Sequence, residues 1–154
     1  MSRPLVALPP AAACEFLAVR VPIDRSPDDL ESFDLLAHAQ AAEEALRLAL
    51  RRPLAVHALV LAAAAPPADL ELVARFAELT VPTLALFGTR DREVPPETGR
   101  RWRALLPRCN LVFLYDAGHD LAADRPQAFA DIVLDFISDP GAFLVNRRNG
   151  ALHP

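Results

Sequence analysis

Residues 81–120, VPTLALFGTRDREVPPETGRRWRALLPRCNLVFLYDAGHD, read as strand, loop, helix, strand, loop. Thr83–Phe87 is a short apolar run closed by Gly88, and Asn110–Tyr115 is a second one closed by Ala117 and Gly118. Neither run strictly alternates polar with apolar, as expected of parallel strands buried on both faces. Between them, Pro95, Pro96 and Thr98 open a helix whose inward stripe is Trp102, Leu105 and Leu106, and Pro107 ends it. A strand–helix–strand unit of this length makes a right-handed parallel crossover. Its two loops carry Asp91 and His119. They fall at the carboxyl edge of the strands, where open α/β sheets bind ligands.

Composition bounds the rest. At 154 residues the chain reads as one domain, 1–154, with a divergent amino-terminal part over 1–31 and a tail over 142–154. A hydrophobic share of 53% suits a buried parallel sheet, and no apolar run reaches membrane-spanning length. Met1–Pro10 does not read as a secretory signal, because its apolar run is very short and an early Pro pair follows. Cys14 and Cys109 are a poor disulfide framework and point to a reducing, cytoplasmic home. A net charge of −4 argues against nucleic acid and against anionic membranes as partners. All 16 basic residues are arginine, a coding bias rather than a function.

Outward from the central stretch, Pro4–Leu8 and Phe16–Val21 are two short apolar runs. The seven residues between them cannot hold a crossover helix, so the runs pair antiparallel or one of them is not a strand. Ser26–Glu31 has room for a turn or two of helix, with Ser26 as cap. Phe33–Ala37 is a buried strand that turns sharply into a helix over Glu43–Arg51. Val56–Ala63 is the next strand, and Ala68–Leu79 a helix with Leu72, Val73, Phe76 and Leu79 inward. A last helix starts at Asp124 and Pro126, buries Phe129, Ile132, Val133, Phe136 and Ile137, and stops at Asp139-Pro140-Gly141. The tail carries Phe143-Leu144-Val145 and an Asn149-Gly150 hairpin-turn signal.

The ordered set G-T-R-D, V-P, L-L-P, A-G-H and D-R-P resembles the carboxyl-terminal part of the α/β-hydrolase family. The resemblance runs from about Ser32 to Ser138 and is strongest over Pro82–Phe136. It implies an α/β fold, a mostly parallel sheet flanked by helices, in a truncated and lidless version, because Leu79 leads directly to Val81. It also implies that Asp91 is the triad acid and His119 the triad histidine. The family's nucleophile elbow is written G-x-S-x-G. Here the same five positions are Ala37-His38-Ala39-Gln40-Ala41, so the nucleophile position is Ala39. The loop that usually supplies oxyanion donors reads Pro9-Pro10, and proline has no N–H to donate.

An aspartate fixes the tautomer of its histidine and stabilises the imidazolium formed when the ring takes a proton. Asp91 and His119 could do this, but Ala39 offers no hydroxyl for acyl transfer. Cys14 lies on the wrong loop to stand in and reads as structural, and Cys109 begins a strand at the opposite edge. His38 reads as a packing and hydrogen-bonding residue, and His57 and His153 as surface or core filler. No H-x-x-x-H or C-x-x-C spacing supports a metal, and no cofactor is expected. The expectation is an esterase-like hydrolase relative of weak or no activity, with a small ester-like molecule as ligand. Two alternatives stand beside it. One is a non-catalytic binding or assembly module; the other is a working hydrolase in which Asp91–His119 activates water. A homodimer is also expected. The helices that should flank the first two runs are missing, which would leave Leu5, Val6, Phe16, Leu17 and Val19 partly uncovered. The competing cover is the tail segment Phe143-Leu144-Val145, folding back over the same chain.

Overall fold

The computed structural model describes residues 3–9, 17, 22–24 and 26–146. Six parallel strands form one sheet: β1 (Leu5–Leu8), β2 (Ile23–Asp24), β3 (Phe33–His38), β4 (Val56–Ala62), β5 (Thr83–Gly88) and β6 (Cys109–Leu114). Their order is β2-β1-β3-β4-β5-β6. The α-helices whose bounds fall among the described residues are α1 (Ala42–Arg51), α2 (Leu70–Ala74), α3 (Glu97–Leu105), α4 (Leu121–Asp124), α5 (Pro126–Ser138) and α6 (Pro140–Asn146).

Successive residues of a strand point to opposite faces, and here both faces are dry. Leu35 and Ala37 of β3, Leu59 and Leu61 of β4, and Ala85 and Phe87 of β5 pack with α1, α2 and α3. Leu36, Val60, Leu84 and Leu86 go to the other side, against Phe129, Ile132, Val133 and Phe136 of α5. The central run therefore needs no polar alternation. The stripe of α3 is as expected at Trp102 and Leu106, with Leu105 half-buried.

Several expectations change. Leu17 is the one described residue of the Phe16–Val21 run, and it is helical and buried. The strand beside β1 is instead Ile23–Asp24, parallel to it, so residues 9–22 form the connection, long enough for a parallel crossover. Pro27–Asp29 form a turn rather than a helix, closed by Leu30 N–H to Pro27 O at 3.2 Å; a segment this short cannot offset helix nucleation. The Ala68–Leu79 helix is split into α2 and a 3₁₀ turn over Phe76–Glu78, with Leu72, Phe76 and Leu79 buried and Val73 half-buried.

Asp139 ends α5 after Ser138, as expected, but the chain does not then run on as a tail. The same residue caps a new helix, α6, with Asp139 Oδ1 accepting from Ala142 N–H at 2.9 Å. That helix brings Phe143 edge-to-face against Phe136, ring centres 5.3 Å apart. The Asn149-Gly150 turn lies outside the described residues.

The uncovered face expected near the amino terminus is absent where it is described. Leu5, Val6 and Leu17 are all fully buried within the single chain, while Phe16 and Val19 lie outside the described residues. α5 and Phe143 belong to the same apolar cluster as Leu5 and Leu17, so the end of the chain covers the start of the sheet. For Leu5, Val6 and Leu17 the exposure that motivated a dimer is therefore absent. No helix among the described residues is long and apolar enough to cross a membrane.

Candidate active site

The site begins with Gly88. A Cβ there would sit 2.2 Å from Ala117 O and 2.4 Å from Gly118 O, closer than any real contact. Only glycine lets the ends of β5 and β6 cross this closely. The crossing is laced by backbone bonds from Thr89 N–H to Leu114 O (3.1 Å) and Arg90 N–H to Ala117 O (2.9 Å). Asp116 N–H donates to Thr89 Oγ1 at 2.9 Å, and the Arg90 guanidinium meets the Asp116 carboxylate at 2.6 Å. From the far side, Asp124 Oδ2 accepts from Gly118 N–H at 2.7 Å, and Arg125 donates to Tyr115 O at 2.7 Å. The motif residues G-T-R, A-G and D-R thus fix one loop pair.

On that pair Asp91 and His119 meet. Asp91 Oδ1 accepts from the backbone N–H groups of Glu93 (2.8 Å) and Val94 (2.9 Å). This leaves Oδ2 for His119 Nδ1–H, at 3.0 Å. The Asp91 side chain is fully buried and the His119 side chain 23% exposed. Glu93, which sequence reasoning passed over, brings Oε2 to 3.5 Å from His119 Nε2. It belongs to no motif spacing; its place follows from the turn that Asp91 caps.

The other wall is the junction of β3 with α1. Ala39 has φ 52°, a left-handed conformation that costs an alanine on the order of 1 kcal/mol. A residue without side-chain hydrogen bonds has no local reason to adopt it, so the strand–turn–helix junction imposes it. His38 donates from Nε2 to His119 O at 3.0 Å, and the two rings meet edge-on with centres 5.1 Å apart. The packing and hydrogen-bonding role expected of His38 is what it has. A third wall is held by Trp102, fully buried, whose Nε1–H donates to Ala64 O at 2.7 Å. Together these walls enclose a cleft of about 390 Å³, lined among others by Ala39, Gln40, Ala63, Pro66, Glu93 and His119.

The structure therefore sets His119 and Ala39 on one cleft, with Asp91 buried behind the histidine. Cys109 is buried at the far end of β6, as expected, and Cys14, Pro10 and His153 lie outside the described residues. His57 is not filler. Its Nδ1–H donates to the buried Asp34 carboxylate at 2.8 Å, and its Nε2 accepts from Arg3 at 3.0 Å, at the amino edge of the sheet. Burial pushes the Asp34 carboxyl above its ordinary value, against the opposing pull of His57 and Arg3. No cluster of three or more metal-ligating side chains occurs among the described residues.

No model of a known protein family matches the chain. The uncharacterized hydrolase YugF of Bacillus subtilis (strain 168) is 37% identical over 60 residues, 39% of this chain and 22% of that protein. A 2-hydroxy-6-oxononadienedioate/2-hydroxy-6-oxononatrienedioate hydrolase of Cupriavidus pinatubonensis is 32% identical over 77 residues, 50% of this chain and 27% of its own length. The match thus spans about a quarter of these curated relatives. Among solved structures, the α/β hydrolase MGS-MChE2, from a sediment metagenome of the Mar Chica lagoon, superimposes with a TM-score of 0.73 at 14% identity. That alignment covers 91% of this chain and 92% of the other. The meta-cleavage product hydrolase CumD of Pseudomonas fluorescens gives 0.71 at 14% identity, covering 91% and 92%. With its sequence relatives and structural neighbours of one kind, and its acid–histidine loops at the carboxyl edge of a parallel sheet, the chain is a protein of the α/β-hydrolase fold.

Proposed function

We propose that the cleft beside His119 is a hydrolase-type site for a small ester-like carbonyl compound, in which no acyl-enzyme forms. Hydrolysis there proceeds slowly, by water that His119 activates. The observation that carries this reading is the Asp91–His119 pair at 3.0 Å, opening onto the same cleft as Ala39. Asp91 holds the proton on Nδ1, so Nε2 faces the cleft as a base. An oxyanion donor is worth about 10²–10³ in rate, and Pro9 has no N–H to contribute one. The residual acceleration of roughly 10³–10⁴ over water that hydrolases of this type keep without their nucleophile comes from the oxyanion hole and binding, so with a donor missing the rate here should fall well below that.

The test is hydrolysis of short p-nitrophenyl esters by purified protein. The wild type should run barely above buffer, and an Asp91→Asn, His119→Ala double variant should lose that margin. Ala39→Ser should raise the rate and become labelled by a fluorophosphonate probe, while the wild type stays unlabelled. Rapid wild-type turnover with stoichiometric labelling at a native serine would overturn the proposal. A second reading, a binding module without turnover, draws on the same Ala39 and Pro9. It is favoured if the ester binds in the cleft and wild type and double variant hydrolyse it equally.

A further inference from the structure

His119 and Glu93 face each other as two acceptors. Asp91 is saturated by two backbone N–H groups on Oδ1 and by His119 Nδ1–H on Oδ2. With Nδ1–H given to Asp91, the ring in its neutral form carries a lone pair at Nε2. That lone pair looks at the Glu93 carboxylate, 3.5 Å away, and no hydrogen bond joins the two. An acceptor pair at this spacing calls for a donor able to reach both. Among the described residues no arginine lines the cleft. Arg47, beside it on α1, is held by Glu43 at 2.8 Å and Asp69 at 2.6 Å, and Arg90 is held by Asp116 at 2.6 Å. The cleft's charged lining is thus Glu43 and Glu93, and its walls are otherwise mostly alanine and proline.

We infer that the cleft recognises a primary ammonium group on a small apolar body. The head donates one N–H to Glu93 Oε2 and another to His119 Nε2, and the body lies on Ala39, Ala63, Ala65, Pro66 and Val94. An ammonium has three N–H donors and the opposite charge to Glu93, whereas a carboxylate ligand would meet that charge unscreened, Glu43 alone being offset by Arg47 at 2.8 Å. The inference rests on the cleft being the ligand site proposed above.

The experiment titrates ¹⁵N-labelled protein with benzylamine, benzyl alcohol and benzoate, reading the His119 ring nitrogens and the amides of Ala39 and Val94. Benzylamine should perturb these signals and weaken about tenfold in a Glu93→Gln variant, the scale of one charge-assisted hydrogen bond. Glu93 is largely exposed and its backbone N–H is retained, so the variant should fold and keep the Asp91 turn. Benzoate should leave the signals in place. Equal benzylamine affinity in the variant, or benzoate binding as tightly, would overturn the inference. If benzyl alcohol or a p-nitrophenyl ester perturbs the cleft and benzylamine does not, the ammonium assignment falls and the cleft proposal stands. If neither these three nor a p-nitrophenyl ester titrated in the same way perturbs it, both fall.

Discussion

The sheet carries an aspartate–histidine pair at each edge, and the two differ in what surrounds them. At the carboxyl edge, Asp91 is clamped by two backbone N–H groups and His119 turns its second nitrogen into a cleft. At the amino edge, Asp34 is paired with the His57 ring and faces the Arg3 side chain at 3.8 Å, while the second nitrogen of His57 is occupied by Arg3. Both histidines donate Nδ1–H to a buried carboxylate at similar distance, 3.0 Å and 2.8 Å. The pair alone therefore does not make a site. What marks the carboxyl edge as the candidate site is that His119 turns Nε2 toward a cleft, beside Glu93 at 3.5 Å. The amino-edge pair closes on itself and ties β3 and β4 to Arg3, two residues before β1.

The largest effect should come from breaking the carboxyl edge at its crossing point. Gly88→Ala places a methyl 2.2 Å from Ala117 O, and backbone on both sides cannot yield as a side chain would. The expected loss is about 3 kcal/mol, at the upper end of overpacking costs, measured by urea denaturation. The His119–Asp91 contact should loosen with it, seen as a shifted His119 Nδ1 signal. Next comes Asp34→Ala, which strands the His57 Nδ1–H and the Arg3 charge and should cost about 2 kcal/mol. If Gly88→Ala were silent while Asp34→Ala unfolded the protein, the amino edge would be the more tightly built of the two.

The edges also differ in how far the sequence discloses them. The carboxyl edge is legible because its geometry is local. A glycine where two loops touch, an aspartate closing its own turn two and three residues on, and an Asp-Arg-Pro start whose side chains reach back six and ten residues all leave short-range marks. The amino-edge pair leaves none. Phe33 pairs with Val56, but Asp34 pairs with Ala58, so an irregularity in the β3–β4 register leaves His57 as the extra residue beside Asp34. Register is a tertiary property, and no spacing between positions 34 and 57 foretells it. Glu93 was missed for a related reason: its meaning depends on which way the Asp91 turn points its side chain. The carboxyl-terminal helix α6 was misread because Asp-Pro serves equally to stop one helix and to cap the next.

A smaller, signed test uses pH. Burial holds the Asp34 carboxyl above its ordinary 3.8, so the folded chain binds this proton more readily than the unfolded one. The group therefore stabilises the fold most below 3.8, and that contribution is lost as pH rises through the folded value. Asp34→Asn cannot titrate. The stability of the wild type minus that of Asp34→Asn should fall as pH is raised from below 3.8 toward neutrality, measured by urea denaturation across a pH series. A difference that grew with pH would mean that His57 and Arg3 outweigh burial.

The smallest effect expected is that of Arg3→Ala. Arg3 is 39% exposed, lies 3.8 Å from the Asp34 carboxylate and gives one hydrogen bond to His57. A partly exposed ion pair of this kind contributes about 0.5 kcal/mol after solvent screening. Because the Asp34 side chain is 4% exposed, water does not replace the lost charge fully, so the cost should stay above zero in low salt. It should shrink when ionic strength is raised, since screening acts on the exposed guanidinium more than on the buried Asp34–His57 contact. Urea denaturation of the wild type and Arg3→Ala at low and high salt measures both quantities. A cost near that of Asp34→Ala, insensitive to salt, would make Arg3 an equal member of a buried three-residue unit, and the amino edge would then be held by charge as firmly as the carboxyl edge is held by backbone.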